Sequence, residues 1–413
     1  MKADRISFIK NTSSLYILNI VKLLFPLLTL PYLTRVLSLD AYGMVTYVKA
    51  LIAYVQLVID FGFMLSATKN IVNACTTPSK IGRIVGDTLV EKMFLSIISV
   101  LIYTILMWQI PIMRENILFS VLYLLATVTN IFIFDFLFRG IEKMYAVAIP
   151  YIISKTIITI LTFIVVKDDS SILWIPILEG IGNLVAAVVS YGFLHHFGIK
   201  LSVSDLSVWI KDLKESSIYF LSNFATTIFG VFTTVIAGFY LQSQEIAFWG
   251  IAMQLLSAAK SLYNPIANSL YPHMIRTKDI QSIKNINRIM LILIIFGVLI
   301  VLFFSNQILS IIGGEKYTVS ADFLKYLLPA FVASFYSMIY GWPVLGAIDK
   351  VKETTMTTIL ASIVQVLGLG IFILSDNFSL ITLAICSSMS EVVLWISRYL
   401  IYFKNRSLFV RSR

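Results

Sequence analysis

Hydrophobic residues in this chain come in runs of about twenty, each closed by a short polar or basic stretch. Twelve such runs are legible, at about 13–34, 42–66, 88–108, 117–138, 146–166 and 171–194, then at about 216–240, 246–272, 287–309, 323–345, 354–374 and 379–402. Each is long enough to cross a bilayer core of roughly 30 Å as an α-helix. The polar residues inside the runs are not scattered. Thr46, Lys49, Ala53, Gln56 and Asp60 recur at helical spacing, as do Ser257, Ser261, Asn264 and Asn268, with Lys260 beside them. Asn19, Lys22, Pro26 and Thr29 share a face of the first run, and Asn223, Thr226, Gly230 and Thr233 a face of the seventh. These faces predict the walls of a central cavity, or else close helix contacts made by small and polar residues.

Composition agrees, since 58% of residues are hydrophobic and 13% charged, against about a quarter charged in soluble domains. The fold expected is an all-α polytopic membrane protein of about twelve transmembrane helices. Lys and Arg sort between alternate loops. One side carries Lys2, Arg5, Lys10, Lys69, Lys80, Arg83, Arg139, Lys143, Arg411 and Arg413 among others, the opposite side only Arg35, Arg114, Lys167 and Lys316. By the positive-inside rule both termini are cytoplasmic. The same loops account for most of the net charge of +10, which gives no reason to expect a nucleic-acid partner. The first run is too long for a cleaved leader and should remain as a helix. Cys75 and Cys386 offer no plausible disulfide, and His195, His196 and His273 lack a second set of metal ligands, so neither a metal nor another cofactor is expected.

Two lobes are expected. Ser13-Ser14-Leu15-Tyr16-Ile17-Leu18 recurs as Ser216-Ser217-Ile218-Tyr219-Phe220-Leu221, and Asp40 before Tyr42-Gly43 is echoed by Glu245 before Trp249-Gly250. The organisation predicted is a six-helix lobe over 1–200, an interfacial linker helix over 201–215 with Leu206, Trp209, Ile210 and Leu213 on one face, and a parallel six-helix lobe over 216–413.

Charges within the runs carry the candidate chemistry. Lys22, Lys49, Lys155 and Lys260 fall well inside apolar segments, where a lysine facing lipid costs roughly 2.5–3.5 kcal/mol. Lining a wet cavity, they would receive an anion. Lys92, Lys325 and Arg398 fall near predicted helix ends, where snorkelling to the interface accounts for them. Glu179 and Glu391 are intramembrane acids at corresponding places in the two halves, and Asp60 and Asp135 lie near cytoplasmic ends. Asp60, Glu179 and Glu391 are candidates for a gate or for coupling to H+, Na+ or the membrane potential. An ion pair between Glu391 and Arg398, seven residues apart on one face, is the structural alternative.

The stretch from Asn11 to Thr68 contains Pro31-Tyr32-Leu33-Thr34-Arg35, Asp40-Ala41-Tyr42-Gly43 and Asp60-Phe61-Gly62-Phe63 followed by Ser66-Ala67-Thr68-Lys69. It closely resembles the opening of O-antigen flippases of the Wzx type, within the multidrug, oligosaccharidyl-lipid and polysaccharide exporter superfamily. Arg139-Gly140-Ile141-Glu142-Lys143-Met144 resembles a loop of the same family, and Gly314-Glu315-Lys316-Tyr317 has a familiar look. The resemblance implies a flippase, not an enzyme, in the bacterial inner membrane. It would move an undecaprenyl diphosphate-linked oligosaccharide from the cytoplasmic to the periplasmic leaflet, with an O-antigen polymerase and a chain-length regulator as partners. It also implies that cations on helices one, two and eight line the cavity, where Lys22, Lys49 and Lys260 fall. A multidrug or metabolite exporter of the same superfamily and an O-antigen polymerase are the alternatives.

Overall fold

The computed structural model describes residues 2–74, 77–227 and 231–409, with side chains from Ser13 onward apart from those of 222, 225 and 226. Cys75, Gly230, Arg411 and Arg413 lie outside the described residues, as do the side chains of Lys2, Arg5, Lys10 and Thr226. The fold is all-α, and among the described residues ten helices are long and apolar enough to cross a membrane. The chain forms two compact units, Met1–Phe224 and Ala225–Arg413.

Unit 1 contains α1 (Lys2–Val36), α2 (Leu39–Asp60), α3 (Phe63–Asn73), α4 (Pro78–Gln109), α5 (Pro111–Glu115), α6 (Ile117–Val128), α7 (Asp135–Gly140), α8 (Met144–Val165), α9 (Trp174–His196) and most of α10 (Leu206–Thr227). Local chemistry sets several ends. The Ser38 hydroxyl caps α2 by accepting from the Ala41 N–H at 3.2 Å. Pro78 and Pro111 open α4 and α5, where a missing N–H is harmless. A buried cluster around Phe63, Ile71, Val85, Leu137 and Val147 ties α3, α4, α7 and α8 together.

The segments that carry the family resemblance hold this framework in place. The Tyr32 hydroxyl donates to the Val166 carbonyl at 2.7 Å, and the Ser38 N–H to Asp169 Oδ1 at 2.8 Å, which pins the α1–α2 turn to the end of α8. Gly140 lets α7 lie on α3, since a Cβ there would come within 2.7 Å of Ile71 Cβ. The turn that follows has Glu142 at φ 57° and closes with the Lys143 N–H donating to the Phe138 carbonyl at 2.8 Å.

The region expected as a separate linker helix runs differently. Residues 201–205 are non-helical, and α10 continues from Leu206 to Thr227 without interruption. Asp87 of α4 anchors its start, accepting from the Ser204 N–H at 2.6 Å, the Ser204 hydroxyl at 2.7 Å and the Trp209 indole at 3.0 Å. Three bonds to one carboxylate draw the polar lead-in of α10 onto unit 1.

Unit 2 continues with α11 (Thr233–Tyr240), α12 (Ser243–Ser261), α13 (Asn264–Thr277), α14 (Ile280–Gly313), α15 (Ala321–Tyr326), α16 (Leu328–Ile339), α17 (Val351–Leu374) and α18 (Leu380–Lys404). Of the expected run at 216–240, α10 covers the part up to Thr227 and α11 the part from Thr233 among the described residues, and the run at 246–272 is divided between α12 and α13. Neither reaches the length and apolarity of a span among the described residues. In the second case Pro265 cannot continue the α12 hydrogen-bond ladder, and Ser257, Lys260, Ser261, Asn264 and Asn268 dilute the apolar run. Along α14, Ile292, Phe296 and Phe303 are exposed, as a lipid-facing helix requires.

Candidate functional site: membrane-embedded lysine–carboxylate pairs

In unit 1 the site begins where α2 stops. Phe61 at φ 38° and Gly62 at φ 83° take left-handed backbone, so α2 ends at Asp60 and α3 starts at Phe63. Gly62 is needed for a second reason, because a Cβ there would sit 2.6 Å from Tyr219 Cβ and 2.9 Å from the Phe220 nitrogen of α10. The aromatic ring of Phe61 stacks on Phe220 at 4.6 Å, and the Ser66 and Ser216 hydroxyls lie 2.7 Å apart.

Asp60 is held from two sides. Lys92 Nζ donates to Asp60 Oδ1 at 2.8 Å, and Gln56 Nε2 to Asp60 Oδ2 at 2.8 Å. Asn130 Nδ2 in turn donates to Gln56 Oε1 at 2.9 Å. Lys92 is therefore buried within the fold and does not snorkel. The reason lies in the length of α4, which starts at Pro78 and not near 88, so Lys92 stands about four turns inside it. A pattern in the sequence could have shown this, because Asp87, Thr88, Glu91, Lys92, Ser96 and Ser99 form one buried polar stripe along α4.

A second pair joins α8 to α9, where Lys155 donates to Glu179 with both side chains about a quarter exposed. One turn on, Asn183 Nδ2 donates to the Ala126 carbonyl at 2.9 Å. Lys22 of α1 lies 5.3 Å from the centroid of the Tyr151 ring and within electrostatic reach of Asp135. These groups surround a cavity of about 360 Å³. Its lining includes Lys22, Lys92 and Lys155 against Asp60, Asp135 and Glu179. Fully ionised, three cations meet three anions and the lining sums to zero. Lys49 is not part of that lining. Its side chain is exposed on α2, in electrostatic reach of Glu179 and Lys155.

In unit 2 the third pair joins α12 to α18. Lys260, in the last turn of α12, donates to Glu391 Oε1, and the Ser337 hydroxyl donates to Glu391 Oε2 at 3.3 Å. Glu391 is buried, its side chain only 7% exposed. Arg398 makes no ion pair with Glu391. Its guanidinium donates instead to the Ser337 carbonyl at 2.6 Å and to the Thr357 and Thr358 hydroxyls at 3.2 and 3.0 Å. Packing explains this choice: the chain leaves helical geometry at Gly341, just past α16, and the Arg398 guanidinium fills the space beside that glycine. Unit 2 also encloses a larger cavity of about 520 Å³, lined almost wholly by apolar residues such as Leu256, Ile294, Val301 and Phe331.

Sequence reading named four cations and three acids as candidates. The fold brings Lys155 to Glu179 and Lys260 to Glu391, and gives Asp60 to Lys92. It leaves Lys22 in the unit 1 cavity and Lys49 apart from it.

The family described as polysaccharide biosynthesis protein matches residues 8–278. A protein of Shigella dysenteriae named "Putative O-antigen transporter" is 27% identical over 370 residues, covering 87% of this chain and 91% of that protein. One of the same name from Escherichia coli (strain K12) is 26% identical over 420 residues, covering 99% and 100%. Among solved structures, an inward-facing multidrug resistance MATE family transporter of the MOP superfamily matches with a TM-score of 0.70 at 13% identity, covering 94% of this chain and 98% of that one. The lipid II flippase MurJ matches with a TM-score of 0.70 at 14% identity, covering 96% and 87%. At these identities the structures speak for the fold.

Proposed function

The chain belongs to the polysaccharide biosynthesis protein family, and from that premise we propose that it is a transporter that flips a lipid-linked oligosaccharide. The substrate proposed is an O-antigen repeat unit on undecaprenyl diphosphate, carried from the cytoplasmic to the periplasmic leaflet of the bacterial inner membrane by alternating access. The names of its curated relatives support the substrate class, and the MurJ-like fold supports a lipid flippase.

The observation that carries the mechanism is that each unit holds a membrane-embedded lysine against a glutamate. A lone lysine at bilayer depth costs roughly 2.5–3.5 kcal/mol, and the carboxylate offsets this while no substrate is bound. A diphosphate carries more charge than one carboxylate and presents more acceptor oxygens. It therefore competes with Glu391 for the ammonium group of Lys260, with Lys49 as a further cation. Once the diphosphate leaves, Glu391 closes on Lys260 again. Affinity stays moderate, as release requires, and lysine suits this better than arginine because a point charge rearranges where a bidentate fork holds on.

The test is sidedness. In cells lacking this protein, a membrane-impermeant glycan probe should find complete repeat units on inverted membrane vesicles and none on right-side-out ones. Repeat units reaching the periplasmic face unaided would end the flippase reading. An unchanged glycan with altered drug sensitivity would instead support a multidrug exporter on the same fold.

A further inference from the structure

The unit 1 cavity is not built for the diphosphate. We propose that it is a sugar subsite, recognising hydroxyl and amide groups of the glycan next to the lipid anchor, a reading that rests on the lipid-linked substrate proposed above. The first argument is charge. Lys22, Lys92 and Lys155 are matched by Asp60, Asp135 and Glu179 around one hollow, so a diphosphate entering it meets as many repelling carboxylates as attracting ammonium groups. At separations of about 4 Å like and unlike charges act with equal strength, and the sum offers no net attraction. Lys92 and Lys155 are in addition already engaged by Asp60 and Glu179.

The second argument is the chemistry of the lining. A sugar hydroxyl both donates and accepts, so it needs acceptors and donors side by side. The cavity supplies carboxylate acceptors, ammonium donors and the carboxamides of Gln56 and Asn130, which do both. Tyr151 and Phe136 add aromatic surface to the same lining. The bond chain Lys92–Asp60–Gln56–Asn130 spans α4, α2 and the short turn after α6, so these groups are held in fixed relation before any ligand arrives. A volume of about 360 Å³ is at the small end of ligand sites and suits a short stretch of glycan. Lys49, exposed and outside this lining, is the unit 1 cation left for the diphosphate.

The experiment uses the full-length protein in nanodiscs and two probes, undecaprenyl diphosphate without sugar and the same lipid carrying the native repeat unit. Wild-type protein should bind the glycosylated lipid about tenfold more tightly than the bare one. Gln56→Ala should remove most of that difference and leave bare-lipid affinity within about twofold. Asn130→Ala repeats the test from a different element, and an unfolding curve for each variant identifies any folding defect. A parallel loss of bare-lipid affinity in the folded variants would overturn the proposal, because it would put the diphosphate in the cavity. Equal wild-type affinity for the two lipids would overturn it as well. Wild-type binding of neither lipid would remove the lipid-linked substrate itself, and this subsite with it.

Discussion

The two units use the same ingredients to opposite ends. Unit 1 spreads three lysines and three acids around a hollow, with Lys155 and Glu179 each about a quarter exposed, whereas unit 2 closes Lys260 on a Glu391 that is nearly inaccessible. The larger hollow of unit 2 is apolar and takes no part in its ion pair. Breaks in the helices differ too. In unit 1 the α2–α3 break is made by left-handed Phe61 and Gly62, while in unit 2 Leu262 and Tyr263 between α12 and α13 keep right-handed helical backbone ahead of Pro265. The comparison teaches that an intramembrane charge means different things according to the water around it. A lysine that keeps access to water can exchange its partner for a ligand, and a pair whose carboxylate is buried also holds helices together.

The largest effect expected from that contrast belongs to Lys260→Ala. It strands a buried Glu391, and loss of one partner of a buried pair costs about 3–5 kcal/mol. Thermal unfolding of the detergent-solubilised protein should drop sharply, and adding Glu391→Ala should recover much of the loss without restoring glycan export. Equal stability of single and double variants would show that the unpaired Glu391 carries no cost.

Gly62→Ala comes next, with about 1–3 kcal/mol from left-handed strain and further loss from the contact with α10. Pro265→Ala should be far milder, because its backbone neighbours are already helical. A protease-resistance comparison of the two variants would reveal a reversed order, which would contradict this account of the breaks.

Lys155→Ala is expected to cost about 1–2 kcal/mol, less than Lys260→Ala, since water in the cavity solvates the freed Glu179. Export measured at matched protein level should nevertheless fall. Smallest in stability is Lys49→Ala, expected within about 0.5 kcal/mol of wild type because the side chain is exposed. Its export should still decline, and Lys49→Arg should restore at least part of it. Full export by both Lys49→Ala and Lys155→Ala would rule out cationic handling of the substrate by unit 1.

Much of the fold was legible because a transmembrane helix is a local property of some twenty residues. Ten of the expected runs correspond to helices long and apolar enough to cross a membrane. The run at 246–272 reads as a single span because hydropathy averages over a break such as Pro265. The intramembrane lysines and acids were equally visible, each being an exception to its surroundings. The sequence sets Lys92 near a helix end because the helix start reads ten residues late, and it offers Arg398 only the interface or Glu391 because partners on other helices are not visible in it.

Sequence by itself thus determined the class of molecule, its membrane-embedded charges and the family it belongs to, since all three are written in residue types and short motifs. The tertiary structure alone decided which acid answers which lysine, and whether water reaches the pair. Lys155 and Glu179 are 24 residues apart and Lys260 and Glu391 131 apart. Partners at such distances are chosen by how helices pack, and the strength of each pair depends on how completely that packing excludes solvent.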